Sequence, residues 1–362
     1  MLRRLSLAPL LLLTSCQSSP PIDPAACGST RGLSRSSQPF EPWETERTAD
    51  GRPALNGLPV FGPADAREAA GFRIGDAAFP DQAAFIAAGR RCGTATPPGA
   101  VAGQVERDLR AFRVAPGAAD FVGVGFNVEV PVWFHIITCG GEGDVSQSVI
   151  DEQLRVLNAA FNNAGVWFVL AGVDRTESGR WYTMGYGSPE ERQAKAALGK
   201  DTARNLNIYL AAPPGGLLGW ATFPWDLAAD PSRDGVVLLN RALPGGTPPY
   251  NLGATGTHEV GHWLGLYHTF QDGCGEPNDY VTDTPPEAGP HYGCPGNTDT
   301  CPSPGEDNND NYMSYVDDPC MILFTPGQTA RLRQMVSIYR PGLGPTNQRS
   351  TAKLDSILPP AQ

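Results

Sequence analysis

His258-Glu259-Val260-Gly261-His262-Trp263-Leu264-Gly265-Leu266-Tyr267-His268 gathers three of the chain's five histidines into eleven residues. His258 and His262 are four apart, so a helix sets both imidazoles on one face, where they can share one Zn2+. Glu259, beside the first ligand, can take a proton from water at the metal. Gly265 can adopt the left-handed conformation that ends a helix abruptly, letting the chain swing His268 back as a third ligand. Three protein ligands leave one coordination position open, which marks a catalytic and not a structural zinc site. In a chain this poor in His, the full pattern arises by chance on the order of once in 10⁵ sequences. Three unrelated core or surface histidines are therefore a poor explanation.

The surrounding sequence supplies a scaffold. VEVPVWFHIIT from Val128, VWFVLAGV (166–173), LNIYLAA (206–212) and DGVVLLN (234–240) are rich in β-branched and aromatic residues and read as strands. Val145–Asn163 carries apolar residues at helical spacing, Pro189–Leu198 reads as a polar helix, and Asn251–Tyr267 as a second main helix. Thr325-Pro326-Gly327-Gln328 has the cap, first-turn Pro and third-position Gln that open a last helix, running to about Tyr339. Residues 268–324 read as long loops, consistent with 42 Gly and 35 Pro in 362 residues. A net charge of -11 argues against the basic patch that phosphate binding needs, so a nucleic-acid partner is not expected.

Downstream of the histidines, Asn311-Tyr312-Met313-Ser314-Tyr315 follows. Together, HExxHxxGxxH and a later Met-containing turn form the metzincin signature. Met313 would lie as a soft floor under the imidazoles, and Tyr315 could donate its hydroxyl to a tetrahedral oxyanion. HEVGHWLGLYHTF, a Gly-Cys pair, Asp279-Tyr-Val-Thr-Asp283-Thr-Pro, Gly293-Cys294-Pro295, Cys301, NYMSY and Asp317-Asp318-Pro319-Cys320 resemble the pappalysin family, especially its small bacterial and fungal members. The likeness runs from about Val130 to Tyr339. It implies an α+β metzincin-type zincin: a mixed twisted sheet and two main helices above a cleft, over a loop-rich, disulfide-stapled lower subdomain. Ser314 stands where relatives commonly have Asp, a departure that touches tuning and not the chemistry.

Further expectations follow from the resemblance. Cys274, Cys294, Cys301 and Cys320 allow three connectivities; the resemblance favours Cys274–Cys301 and Cys294–Cys320. Cys92, in Arg-Arg-Cys-Gly-Thr, looks like the cysteine switch of pappalysin-type propeptides, its thiolate filling the open zinc position. Pairing of Cys92 with Cys27 or Cys139 is the competing reading. The resemblance also implies structural Ca2+ at Asp279 and Asp283, against an Asx-turn loop without metal; Asp307 and Asp310 are weaker candidates. Trp220 and Ala221 fall in the family's edge-strand region, where an extended substrate backbone could pair, although Trp220 and Trp225 serve equally well as core. Asp317 and Asp318 could make the pocket after the scissile bond acidic and favour Arg or Lys there.

The N-terminus has a basic start, a short apolar run and Leu13-Thr14-Ser15-Cys16, similar to the lipobox of bacterial lipoproteins; an ordinary signal peptide is the alternative. The expected organisation is a signal over 1–16 with lipidated Cys16, a Ser/Pro-rich tether over 17–63, a propeptide over 64–125, the catalytic domain over 126–342 and a tail over 343–362. Activation is expected between about Ala95 and Gly125, where Arg107, Arg110 and Arg113 offer sites. These readings imply an exported, monomeric zinc endopeptidase acting on proteins or peptides, membrane-bound only through a lipid before activation. The alternative is a surface lipoprotein that binds a protein or polymer in the same cleft without cutting it.

Overall fold

A computed structural model describes residues 46–63, 71–74, 77–115 and 125–343. Cys16, Cys27, the signal segment and nearly all of the C-terminal tail lie outside them. In chain order the elements that matter are two short hairpins, β1 (Ala54–Leu55) with β2 (Leu58–Pro59) and β3 (Phe72–Ile74) with β4 (Ala77–Phe79), then α1 (Gln82–Ala87) and α2 (Gly99–Val114). The main body follows with β5 (Val128–Thr138), α3 (Gln147–Phe161), β6 (Val166–Glu177), α4 (Pro189–Leu198), β7 (Leu206–Ala211), β8 (Gly219–Ala221), β9 (Val236–Leu239), α5 (Ala254–Trp263) and α6 (Pro326–Tyr339).

The sheet has the order β6-β5-β7-β9-β8. Its first four strands are parallel and the short edge strand β8 is antiparallel to β9. Strand alternation explains the layering. Val128, Val130, Val132, Phe134 and Ile136 face one side of β5 and are fully buried against Leu157 and Phe161 of α3, Val260 and Trp263 of α5 and Leu332 of α6. Each such side chain contributes about 1.5–3 kcal/mol by leaving water. The other face is covered under α4, where Tyr209, Trp220 and Val237 meet Ala194. The α+β sheet and the helices over its inner face match the architecture implied by the resemblance.

Every residue of α5 is buried, including its polar ones. A helix buried all round needs partners for its polar groups, and one network is anchored just behind the site. Asp234, preceding β9, accepts from both terminal nitrogens of Arg340 at 3.1 and 2.7 Å and from the Trp263 indole at 2.9 Å. Arg340 Nε donates to the Trp263 carbonyl at 3.0 Å. The sheet, the end of α5 and the end of α6 thus share one buried ion pair.

Below the cleft no long strand forms, and disulfides join Cys274 to Cys301 and Cys294 to Cys320. Loop closure of this length restrains the unfolded chain by about 3 kcal/mol each. Cys139 is also disulfide-bonded, and Cys92 is a free, buried thiol. Of the tether expected over 17–63, only residues 46–63 fall among the described ones, and their end is docked on the body. The Phe61 amide donates to the Pro290 carbonyl and the Tyr292 amide to the Phe61 carbonyl, both at 2.9 Å, while Phe61 stacks on His291. This segment is docked because it carries an aromatic anchor and β-pairing groups that a pure spacer lacks.

Candidate active site

The helix that carries His258 and His262 spans Ala254–Trp263, shorter at both ends than the expected Asn251–Tyr267, because the chain already reverses at Gly265. Gly265 has φ +96° and its N–H donates to the His262 carbonyl at 2.8 Å. The reversal brings His268 Nε2 to 3.0 Å from His262 Nε2, which is itself 3.2 Å from His258 Nε2. Both helical imidazoles are oriented from behind: His258 Nδ1 donates to the Tyr312 carbonyl at 2.7 Å and His262 Nδ1 to the Leu266 carbonyl at 2.8 Å. A carbonyl only accepts, so these Nδ1 atoms hold the ring proton and the converging Nε2 atoms present lone pairs.

Burial holds His258 and His268 neutral, well below the usual imidazole range, and lowers His262 to about 4. Three facing lone pairs at this spacing repel unless a cation lies between them. Four-coordinate zinc holding imidazole nitrogens at about 2.0–2.1 Å sets them roughly 3.3–3.4 Å apart. The donor set therefore fits zinc. Cys92 Sγ joins the three ring nitrogens in one group, all within 4.8 Å of one another, the sole cluster of this kind among the described residues.

Glu259 is fully buried. Its Oε2 accepts from Thr94 Oγ1 at 3.0 Å and from Cys92 Sγ at 3.4 Å. Burial pushes the carboxyl up to about 7, and burial together with the Glu259 charge pushes the Cys92 thiol well above its ordinary value. A bound divalent cation inverts that order for a coordinating thiol, which it deprotonates outright. Met313 is fully buried, and its sulfur would lie 2.5 Å from a Cβ at Gly261, so only glycine lets it pack so closely beneath the helix. Tyr315 stands over the cluster, ring centroids 5.7 Å from His258 and 5.0 Å from His268, its hydroxyl reaching the Cys92 carbonyl at 3.5 Å.

The segment around Cys92 lies along the edge strand. The Leu218 amide donates to the Arg90 carbonyl at 3.0 Å, the Gly93 amide to the Gly219 carbonyl at 2.8 Å, and the Ala221 amide to Thr94 Oγ1 at 2.9 Å. Ala221 thus takes part through its backbone. The Trp220 side chain does not face the cleft: it is fully buried on the far side, its indole donating to Glu191 at 2.7 Å.

Arg91, which the sequence reading passed over beside its cysteine, is fully buried and donates to Thr255 Oγ1 at 3.3 Å with its guanidinium 5.0 Å above the Tyr250 ring. Its charge opposes the burial that raises Asp317 and Asp318. Asp318 Oδ2 accepts the Leu252 and Ala254 amides, and Asp317 Oδ1 accepts Gln82 Nε2.

Both members of the expected calcium pair accept protein donors. Asp279 Oδ1 accepts the Val281 amide at 2.9 Å and the Thr284 hydroxyl at 2.7 Å, forming an Asx-turn. Asp283 accepts Thr325 Oγ1 and the Gly327 amide at the start of α6. Asp307 is held by His291, Thr298 and Thr300. Helix α2 was also unforeseen, although Ala102, Val105, Leu109 and Phe112 mark one buried face. Arg107, Arg110 and Arg113 are exposed on this helix, so cleavage beside them requires it to unwind.

Comparison with known proteins places this geometry. The family model described as pregnancy-associated plasma protein-A matches residues 218–337. An extracellular metalloprotease of Pyricularia oryzae is 42% identical over 220 residues, covering 59% of this chain and 76% of that protein. Extracellular metalloprotease 1 of Coccidioides posadasii is 38% identical over 263 residues, covering 70% and 92%. Among solved structures, promirolysin of Tannerella forsythia has a TM-score of 0.60 at 28% identity, covering 70% of this chain and 96% of its own. Mature mirolysin in complex with a cleaved peptide has a TM-score of 0.52 at 31% identity, covering 60% and 98%. With relatives this similar matched over most of their length, and with a metal-ready histidine cluster, the chain belongs to the pappalysin family and is a metalloprotease, its curated relatives extracellular.

Proposed function

We propose that the chain is an exported zinc endopeptidase made as a latent precursor, in which residues 90–94 fill the cleft until they are cut away. The observation that carries this is the placement of the Cys92 thiol among the three ligand nitrogens with Glu259 beside it. The comparisons support it: the precursor form of mirolysin covers more of this chain than the mature form does. His258, His262 and His268 would hold zinc, which supplies Lewis acidity and a nucleophile at neutral pH. Glu259 accepts the proton of the attacking water and returns it to the leaving amine. Tyr315, its hydroxyl released from the Cys92 carbonyl, donates to the oxyanion, and the freed edge of β8 pairs with the substrate backbone.

The pocket holding Arg91 supports a preference for Arg or Lys after the scissile bond. A cation adjacent to the metal-site residue is already seated there over Tyr250, with the half-buried Asp317 and the buried Asp318 at hand. Peptide-library profiling of the mature protease is expected to show Arg or Lys at that position, with the preference weakened by Asp317→Asn. An apolar preference would sink this assignment.

Export with Cys16 lipidated, and release on loss of the propeptide, completes the reading; Cys16→Ser should abolish fatty-acid labelling of the precursor. The chain acts as a monomer, eluting at its own mass on gel filtration. Calcium at Asp279 makes a separate claim. Burial pushes this carboxyl up to about 7, above its unfolded value. Its contribution to stability is therefore fully present below the ordinary carboxylate range and lost as pH rises through 7. An ion there would restore it, so millimolar calcium is expected to raise Tm at pH 8 in the native chain and not in Asp279→Asn.

A further inference from the structure

Beyond Thr94, the chain that blocks the cleft continues into α2, and α2 covers a patch that the proposed reaction does not use. Phe223, just past the edge strand, sets its ring edge-on to His262 with centroids 5.4 Å apart, and it touches Trp225 at 4.4 Å and Tyr267 at 5.8 Å. Tyr267 in turn meets Tyr280 at 5.8 Å. Over these last two rings lies Arg331, its guanidinium 4.8 Å from Tyr267 and 5.9 Å from Tyr280.

Arg331 is 2% exposed. Its Nε donates to the Gly265 carbonyl at 3.1 Å, and its Nη1 meets Glu106 Oε1 of α2 at 2.7 Å, while Nη2 has no hydrogen-bond partner. Asp279, the other acid that feels this cation, spends Oδ1 on Val281 and Thr284. When α2 leaves, a preoriented guanidinium with free donors is uncovered between aromatic walls. That arrangement suits a carboxylate, which it can bind through charge-assisted hydrogen bonds.

The direction along the cleft is fixed by the blocking segment. Arg91 lies on one side of Cys92, in the pocket assigned above to the residue after the scissile bond. Thr94 and α2 lie on the other side, so this patch serves residues before that bond. We propose that Arg331, Tyr267 and Tyr280 form a carboxylate subsite, filled by Glu106 in the precursor and by an acidic substrate residue N-terminal to the scissile bond in the mature protease. The proposal rests on the latent-precursor reading and on departure of α2 at activation.

The test uses the active species itself, with its N-terminus sequenced, on peptide pairs identical except for Glu or Gln at each of the second to fifth positions before the scissile bond. At one position the Glu peptide is expected to be cut with about five- to tenfold higher kcat/KM, chiefly through KM. The gap should narrow at high salt, shrink to near unity in Arg331→Gln and persist in part in Arg331→Lys. The wild-type comparison needs no variant, so misfolding of Arg331→Gln does not protect the idea. Equal rates for every pair, or a preference unchanged in a folded Arg331→Gln, overturn the subsite while leaving the precursor reading intact. If sequencing instead finds Glu106 still attached to the active species, the precursor boundary fails and the subsite falls with it.

Discussion

Glu259→Gln is expected to lower peptide hydrolysis by about 10²–10⁴-fold, the usual weight of a positioned acid–base group, with zinc content unchanged. The substitution is nearly isosteric, and the new amide oxygen can still accept from Thr94 Oγ1, which now lies 3.0 Å from Oε2. None of the three imidazoles is hydrogen-bonded to Glu259; two are held by carbonyls of Tyr312 and Leu266. What disappears is the group able to take the proton of the attacking water. Stability should not suffer. The folded carboxyl is raised to about 7, so its favourable contribution is present at low pH and lost as pH rises through that value. In the metal-free chain above neutrality a carboxylate must be buried without a neighbouring cation at the metal site, and Gln relieves this. Turnover on a fluorogenic peptide, zinc analysis and Tm of the metal-free chains at pH 8 check the three parts; wild-type turnover in a zinc-loaded variant removes Glu259 from the mechanism.

Cys92→Ala should produce the opposite change, turnover by a chain that has not been processed. The gain is expected to be partial. Removing the thiol leaves Arg91 in its pocket, Thr94 on Glu259 and two backbone hydrogen bonds to Leu218 and Gly219. Adding Arg91→Ala should therefore raise precursor activity further, because it removes a buried cation that the alanine variant retains. A readout independent of turnover is available with cobalt in place of zinc. Thiolate-to-cobalt charge-transfer absorption is expected in the wild-type precursor and lost in Cys92→Ala. A wild-type precursor without that absorption, or a Cys92→Ala precursor as silent as its parent, would show that latency has another source.

The sequence carries the ligand set, the Met turn, the main strands and the capped last helix because each depends on local spacing. His258 and His262 need only the period of a helix, Gly265 only its freedom at φ +96°, and Thr325 only a Gln three residues on. Long-range partners leave no such trace. Arg91 and Asp318 lie far apart in the chain, and nothing local says that one approaches the other. Glu106 and Arg331 meet only because α2 packs on α6 through Val105, Leu109, Phe112, Met335 and Ile338. Calcium ligation is illegible in sequence for a related reason. A carboxylate in a loop looks the same in sequence whether it awaits a cation or caps a helix, and Asp283 does the latter at Gly327.

The ion pair behind the ligand helix bears on when proteolytic competence can arise during synthesis. Asp234 is 1% exposed, and its partner Arg340 comes 106 residues later in the chain. A nascent chain that has not reached Arg340 must bury that aspartate without its cation, at a cost of about 3–5 kcal/mol, a large fraction of an ordinary domain's stability. The Trp263 carbonyl loses its donor at the same time. Until Arg340 has been made, then, the ligand helix has no stable seat. A chain ending at Ile338 that refolded with native urea resistance would contradict this order of events.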